Sequence, residues 1–174
     1  MKVFSAILCS AAAAGACVGA TTTASATGVH CDSDDGGDIT IVAGATACRA
    51  TVADSGHARA VGFDGVGYAK ATAGAMALGV GASGGIGASE GTTGVPVAIG
   101  LGPNAVALTS LDDAAGAGRV GLSVAMSGSA AQVISADRSA ACLGTVALAW
   151  DSRTGATCLA TPVGIWRTPP AALP

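Results

Sequence analysis

The sequence predicts an all-β domain, a small parallel β-solenoid or β-roll with a disulfide staple at each end; an antiparallel β-sandwich is the alternative architecture. Three observations carry this reading. Short period-2 stretches ending on turn formers recur along the chain. Residues that favour helices among the charged types are nearly missing. Four cysteines stand in pairs, two near each end of the region that follows an export signal.

The first element in the chain is that signal. Met1 and Lys2 open a positive start, Val3 to Cys9 and Ala11 to Ala16 form an apolar run, and Ala24-Ser25-Ala26 supplies a small-x-small cleavage site. This is the pattern of a secretory signal peptide over residues 1–26, which places the mature protein outside the cell or in its envelope. A cut after Ala20 and lipidation at Cys17 are the alternatives. Residues 71–89 and 91–111 are uncharged, but their Gly, Thr, Ser and Pro content is wrong for a membrane helix, so no transmembrane segment is expected in the mature chain.

Cys31, Cys48, Cys142 and Cys158 follow the signal. An even number of cysteines in an exported chain reads as disulfides. Four allow three connectivities. The near pairs, and the similar phrases Gly44-Ala45-Thr46-Ala47-Cys48 and Gly155-Ala156-Thr157-Cys158, favour Cys31–Cys48 and Cys142–Cys158.

The β domain is expected over residues 27–165. Its strand-like stretches include Ala58-Arg59-Ala60-Val61-Gly62, Ala75-Met76-Ala77-Leu78-Gly79, Val97-Ala98-Ile99-Gly100 and Thr145-Val146-Ala147-Leu148-Ala149. Alternation of this kind is a strand signature. The units recur roughly every nine to eleven residues, with drift. Ser129 to Ala141, rich in Ala, is the nearest thing to a helix. Residues 166–174 hold three prolines and are expected to form a flexible tail.

Composition narrows the core. Apolar residues are 51% of the chain but aromatics only 3% and charged residues 11%. Most of the apolar residues are Ala and Val, which bury little area each. The core must therefore be thin, with backbones in close approach, and the 27 glycines suit that. Asp outnumbers the single Glu90, and Lys is limited to Lys2 and Lys70; Asp favours turns where Glu and Lys favour helices. The net charge is −3, with no basic patch and no stacking aromatics, so nucleic acid is excluded as a partner class.

The run Ala75-Met76-Ala77-Leu78-Gly79-Val80-Gly81-Ala82 resembles the head repeats of trimeric autotransporter adhesins, a likeness that spans residues 58–110. It implies a parallel β-roll, self-association and a host-surface partner. The overall layout is similar to that of uncharacterised small secreted proteins of GC-rich bacteria, a resemblance that implies no function.

Gly79-Val80-Gly81-Ala82-Ser83-Gly84 has the glycine spacing of a dinucleotide loop but is not followed by a helix-forming segment to hold a pyrophosphate, so no cofactor is expected. Gly81-Ala82-Ser83-Gly84-Gly85 matches the serine-hydrolase elbow, yet both histidines, His30 and His57, precede Ser83. Asp32-Ser33-Asp34-Asp35-Gly36-Gly37-Asp38 offers alternate oxygen ligands of the sort Ca²⁺ takes, and otherwise reads as a solvated acidic loop. His30 and His57 read as surface residues, and Trp150 and Trp166 as packing caps. The resulting expectation is a non-enzymatic structural or binding protein with no catalytic, cofactor or metal residues. A secreted serine hydrolase using Ser83 and a calcium-dependent binding module are the alternatives. The expected partner is a second copy of the chain or a cell-surface molecule.

Overall fold

The computed structural model describes residues 27–110, 118–134 and 139–171. The expected signal peptide lies outside them, as do residues 172–174. Fifteen strands and no helix are found among the described residues: β1 (Gly28–Asp34), β2 (Asp38–Ala43), β3 (Thr46–Val52), β4 (Gly56–Phe63), β5 (Val66–Ala71), β6 (Ala75–Ala82), β7 (Ile86–Ser89), β8 (Val95–Leu101), β9 (Val106–Thr109), β10 (Val120–Met126), β11 (Ala130–Ile134), β12 (Ser139–Leu143), β13 (Ala147–Asp151), β14 (Thr157–Thr161) and β15 (Gly164–Thr168).

The strands form two sheets. Sheet A runs β1-β4-β6-β8-β10-β13-β14-β15, and sheet B runs β12-β11-β9-β7-β5-β3-β2. From β3 to β11 the chain alternates between the sheets, so each coil lays one strand on each, and neighbours within a sheet are parallel. This is a β-solenoid. In sheet B, Ala47 stands opposite Val66, Val66 opposite Ile86, and Ile86 opposite Val106. One coil is thus about twice the nine-to-eleven-residue unit visible in the sequence, because that unit is one strand with its corner. Both ends turn antiparallel: β1 on β4 and β2 on β3 at one end, β11 on β12 and β10-β13-β14-β15 at the other.

The corners explain the turn residues. Ala73-Gly74, Ser83-Gly84, Thr93-Gly94 and Ser127-Gly128 all have positive φ at both positions. At Ser83-Gly84, φ is 52° and 77°, so glycine at the second place removes half of the steric cost of a left-handed pair.

The interior is narrower than that of an ordinary β-sandwich. Cys31 of β1 bonds Cys48 of β3, and Cys142 of β12 bonds Cys158 of β14, so each disulfide joins sheet A to sheet B. Both have Cα atoms 5.8 Å apart. Registers link the two staples through the core. The inward row of sheet A reads Cys31, Ala60, Gly79, Ala98, Ser123, Ala149, Cys158. That of sheet B reads Cys48, Gly67, Gly87, Ala107, Ala131, Cys142. Small residues fill both rows, and a disulfide closes each end. A Cβ added to Gly65 would stand 2.7 Å from the Gly85 carbonyl oxygen, and one added to Gly79 would collide with the Tyr68 carbonyl of the facing sheet. Side-chain hydroxyls then cross the gap: Ser89 donates to the Pro96 carbonyl, Thr109 to that of Val97 and Ser123 to that of Leu108, each at 2.8 Å.

Two expectations are corrected. Ser129 to Ala141 contains no helix among its described residues; β11 and β12 run antiparallel there, with Ala131 and Val133 buried. Residues 166–168 are not tail, since they complete β15, where Trp166 pairs with Leu159 and Arg167 with Cys158. The Ala171 N–H also donates to the Thr154 carbonyl at 2.8 Å.

Candidate functional site

Filling the interior with Gly and Ala has a consequence for the outside. Strand alternation sends the neighbours of every small inward residue outward, and those neighbours are large. On the outer face of sheet A one row reads Val61, Val80, Ile99, Val124, Leu148, Leu159, Trp166. Beside it runs Leu78, Val97, Leu122, Trp150, and on the other flank Phe63, Ala82, Leu101, Met126. No outward position on β6, β8 or β10 is polar or charged. Of the four aromatic residues described, Phe63, Trp150 and Trp166 lie on this face, 49%, 38% and 52% exposed. The tryptophans are therefore not packing caps; the gap between the sheets is too narrow for an indole. A shallow apolar hollow of about 220 Å³ lies at one end, lined by residues that include Val124, Leu148 and Leu159.

The outer face of sheet B is mixed. Val66, Ile86 and Val106 share it with Arg49, Tyr68, Lys70 and Gln132. Its hollow of about 230 Å³, beside Tyr68, Glu90, Ser110 and Gln132, is more polar. Burial and the nearby Glu90 carboxylate push the Tyr68 phenol above its usual range.

Charge collects at one margin of sheet A. Antiparallel pairing sets Asp32 opposite Arg59 and Asp34 opposite His57. The Arg59 Nη2 donates to Asp32 Oδ2 at 2.7 Å. His57 Nε2 lies 3.0 Å from Asp32 Oδ1, its Nδ1 contacts Asp34, and His30 Nε2 is 3.6 Å from Asp32. The Arg59 hydrogen bond holds the Asp32 carboxyl below its usual range. Asp32, Asp34 and His57 place one ligand atom each within 4.8 Å of one another, the spacing a metal ion could use. The Arg59 guanidinium already occupies Asp32 and supplies the compensating charge.

The acidic run is thus divided rather than gathered into one loop. Asp32 and Asp34 point out from sheet A, while Ser33 points inward and is buried. Asp35 Oδ1 accepts from the Gly56 N–H at 3.3 Å. Asp38 belongs to β2 and pairs with Arg49 at 2.7 Å, which keeps its carboxyl low. Ser83 sits on the corner after β6, while His57 pairs with Met76 at the start of that strand. Seven residues along β6, about 23 Å at 3.3 Å per residue, separate them. The elbow match is a corner of the solenoid, and His57 cannot activate Ser83 there.

One buried polar group remains. Arg119 and Asp151 are 5% and 0% exposed, and the guanidinium grips the carboxylate through Nε at 3.1 Å and Nη2 at 2.7 Å. The Arg153 N–H and the Thr154 hydroxyl also donate to Asp151, each at 3.0 Å. Burial pushes this carboxyl up, but these donors outweigh it and leave it below its usual range.

No described helix is long and apolar enough to cross a membrane. Residues 1–161 match the family model described as a family of unknown function, DUF6764. No curated protein and no solved structure matches.

Proposed function

The chain belongs to DUF6764, a family of unknown function, and we propose that it is a secreted or envelope-associated, non-enzymatic binding or structural protein whose working surface is the outer face of sheet A. The observation that supports this reading is the unbroken apolar field over β6, β8 and β10, on a domain whose interior has no room for a ligand. Large exposed apolar patches on a soluble fold mark interaction sites. The two disulfides support an oxidising destination, and the signal pattern of residues 1–26 supports export. A hydrolase reading has no His beside Ser83 to draw on, and a calcium reading has Asp32 and Asp38 engaged by Arg59 and Arg49, Asp34 by His57 and Asp35 by the Gly56 N–H.

Fractionation of the producing cell tests this. The protein is expected in the culture medium or envelope, without its first 20 to 26 residues. Val97→Asp, in the middle of the face, should release envelope-held protein to the medium or abolish capture of its partner, while Ser83→Ala changes nothing. Cytoplasmic retention, or a hydrolytic activity lost in Ser83→Ala, would reject the reading.

A further inference from the structure

We infer that the outer face of sheet A is a homodimer interface, on which a second copy of this chain packs face to face. The inference rests on the reading of that face as the working surface and names its occupant.

The size of the face matches a dimer. Sheet A is eight strands wide, with strands of up to eight residues. At about 4.8 Å per strand, 3.3 Å per residue and between six and seven residues per strand on average, that gives roughly 34 by 20 Å, or about 700 Å² on each copy. Two such faces together approach the roughly 1,600 Å² that stable protein pairs bury.

Its anatomy fits a protein partner. The centre is aliphatic and uncharged, Phe63, Trp150 and Trp166 stand around it, and the charges of Asp32, Asp34, His57 and Arg59 lie on one rim. An apolar centre with aromatic anchors and a polar rim is how protein interfaces are built. The charge pattern favours a copy over a lipid surface. Membrane-surface faces add Lys and Arg to their apolar residues; here no described Lys lies on sheet A, Arg59 is held by Asp32, Arg167 of β15 pairs with Cys158 on the opposite side of the sheet, and the chain carries −3. An uncharged face needs no complementary partner charge and is satisfied by itself through a twofold axis, the commonest symmetry of oligomers. Stacking two twisted sheets would interlock the Val80–Ile99–Val124 row with that of the other copy at ordinary sandwich spacing.

Analytical ultracentrifugation of the protein, in the form its host delivers after processing, is the test. The expected result is a species of twice the monomer mass at micromolar concentration. Ile99→Asp, at the centre of the face, should sediment as monomer with its strand circular dichroism and both disulfides intact. Ile86→Asp, on the outer face of sheet B, should remain dimeric. Carbene footprinting of the unsubstituted protein gives a second readout: labelling of Val80, Ile99 and Val124 should fall as the dimer forms, with that of Ile86 unchanged. A monomer at all concentrations, a trimer, a dimer that survives Ile99→Asp, or a monomer that floats with anionic or zwitterionic vesicles would overturn the inference. A monomer whose Val97→Asp variant still loses envelope retention would refute the dimer and leave the proposed function standing.

Discussion

The two ends of this solenoid and its middle are stabilised by different means. In the middle, β4 to β9, the sheets meet backbone against backbone, and exclusion of side chains does the work: glycine and alanine let carbonyls approach, and parallel ladders supply order. At the ends the ladders turn antiparallel and covalent or ionic contacts appear. Cys31–Cys48 closes one end. Cys142–Cys158, together with the buried Arg119–Asp151 pair, closes the other. A core of small side chains yields little burial energy per residue, so it needs fixed ends.

The largest effect that would separate the regions is in the middle. A side chain at Gly100 would run into the Ile86 carbonyl of the facing sheet. Gly100→Val is expected to cost more than about 4 kcal/mol, the range reserved for severe packing faults, and to leave no folded protein by circular dichroism. Ile99→Val beside it, facing out, should fold.

Next comes the ionic end. Arg119→Ala leaves Asp151 charged, buried and short of a partner, at a cost of about 3–5 kcal/mol by urea unfolding. The same pair gives a pH signature. The Asp151 carboxyl is held low in the fold, so its contribution is present above the unfolded value of about 3.9 and fades as pH falls below it. The acid limb of stability should shrink in Asp151→Asn. An unchanged limb would mean that Asp151 is not the ionised partner.

The disulfides should matter less, and equally. They close loops of 17 and 16 residues, each worth about 3 kcal/mol in the chain-entropy model. Since all four cysteines stand in rows of small residues, alanine is the natural replacement. Cys31→Ala/Cys48→Ala and Cys142→Ala/Cys158→Ala should lower the urea midpoint by similar amounts; a large inequality would show that one end is the weaker. The smallest effect is at an exposed pair of charges. Arg49→Gln, which frees Asp38, should leave the melting temperature within experimental scatter.

Much of this fold was legible in the chain. Period-2 stretches located the strands because small-large alternation survives whichever sheet a strand joins, and cysteine spacing located both staples. Ser129 to Ala141 comes nearest to a helix in the sequence because alanine favours helix in isolation, while in the fold Ala131 and Ala107 pair in a ladder chosen by the coil beneath. The candidate face was hidden for a related reason. Sequence alternation shows that Val80 and Gly79 point opposite ways, but not which way is in. Burying the larger residues is the usual answer, and it led to Trp150 and Trp166 being placed as caps. The glycines held the signal: Gly79, Gly81, Gly87 and Gly100 occupy the alternate places that the sheets bring together. The cluster of His30, Asp32, Asp34, His57 and Arg59 could not be seen, since β1 meets β4 only across the intervening β2-β3 hairpin.

The central claim is that the small residues of these strands point in and the large ones out. Equilibrium unfolding of Gly79→Ala against Val80→Ala, adjacent positions of β6, tests it most directly. Adding one methyl at Gly79, against the Tyr68 carbonyl, is expected to destabilise the protein more than removing two methyls from Val80. The opposite order, Val80→Ala the more damaging and Gly79→Ala near neutral, would mean that the valines form the core and would contradict it.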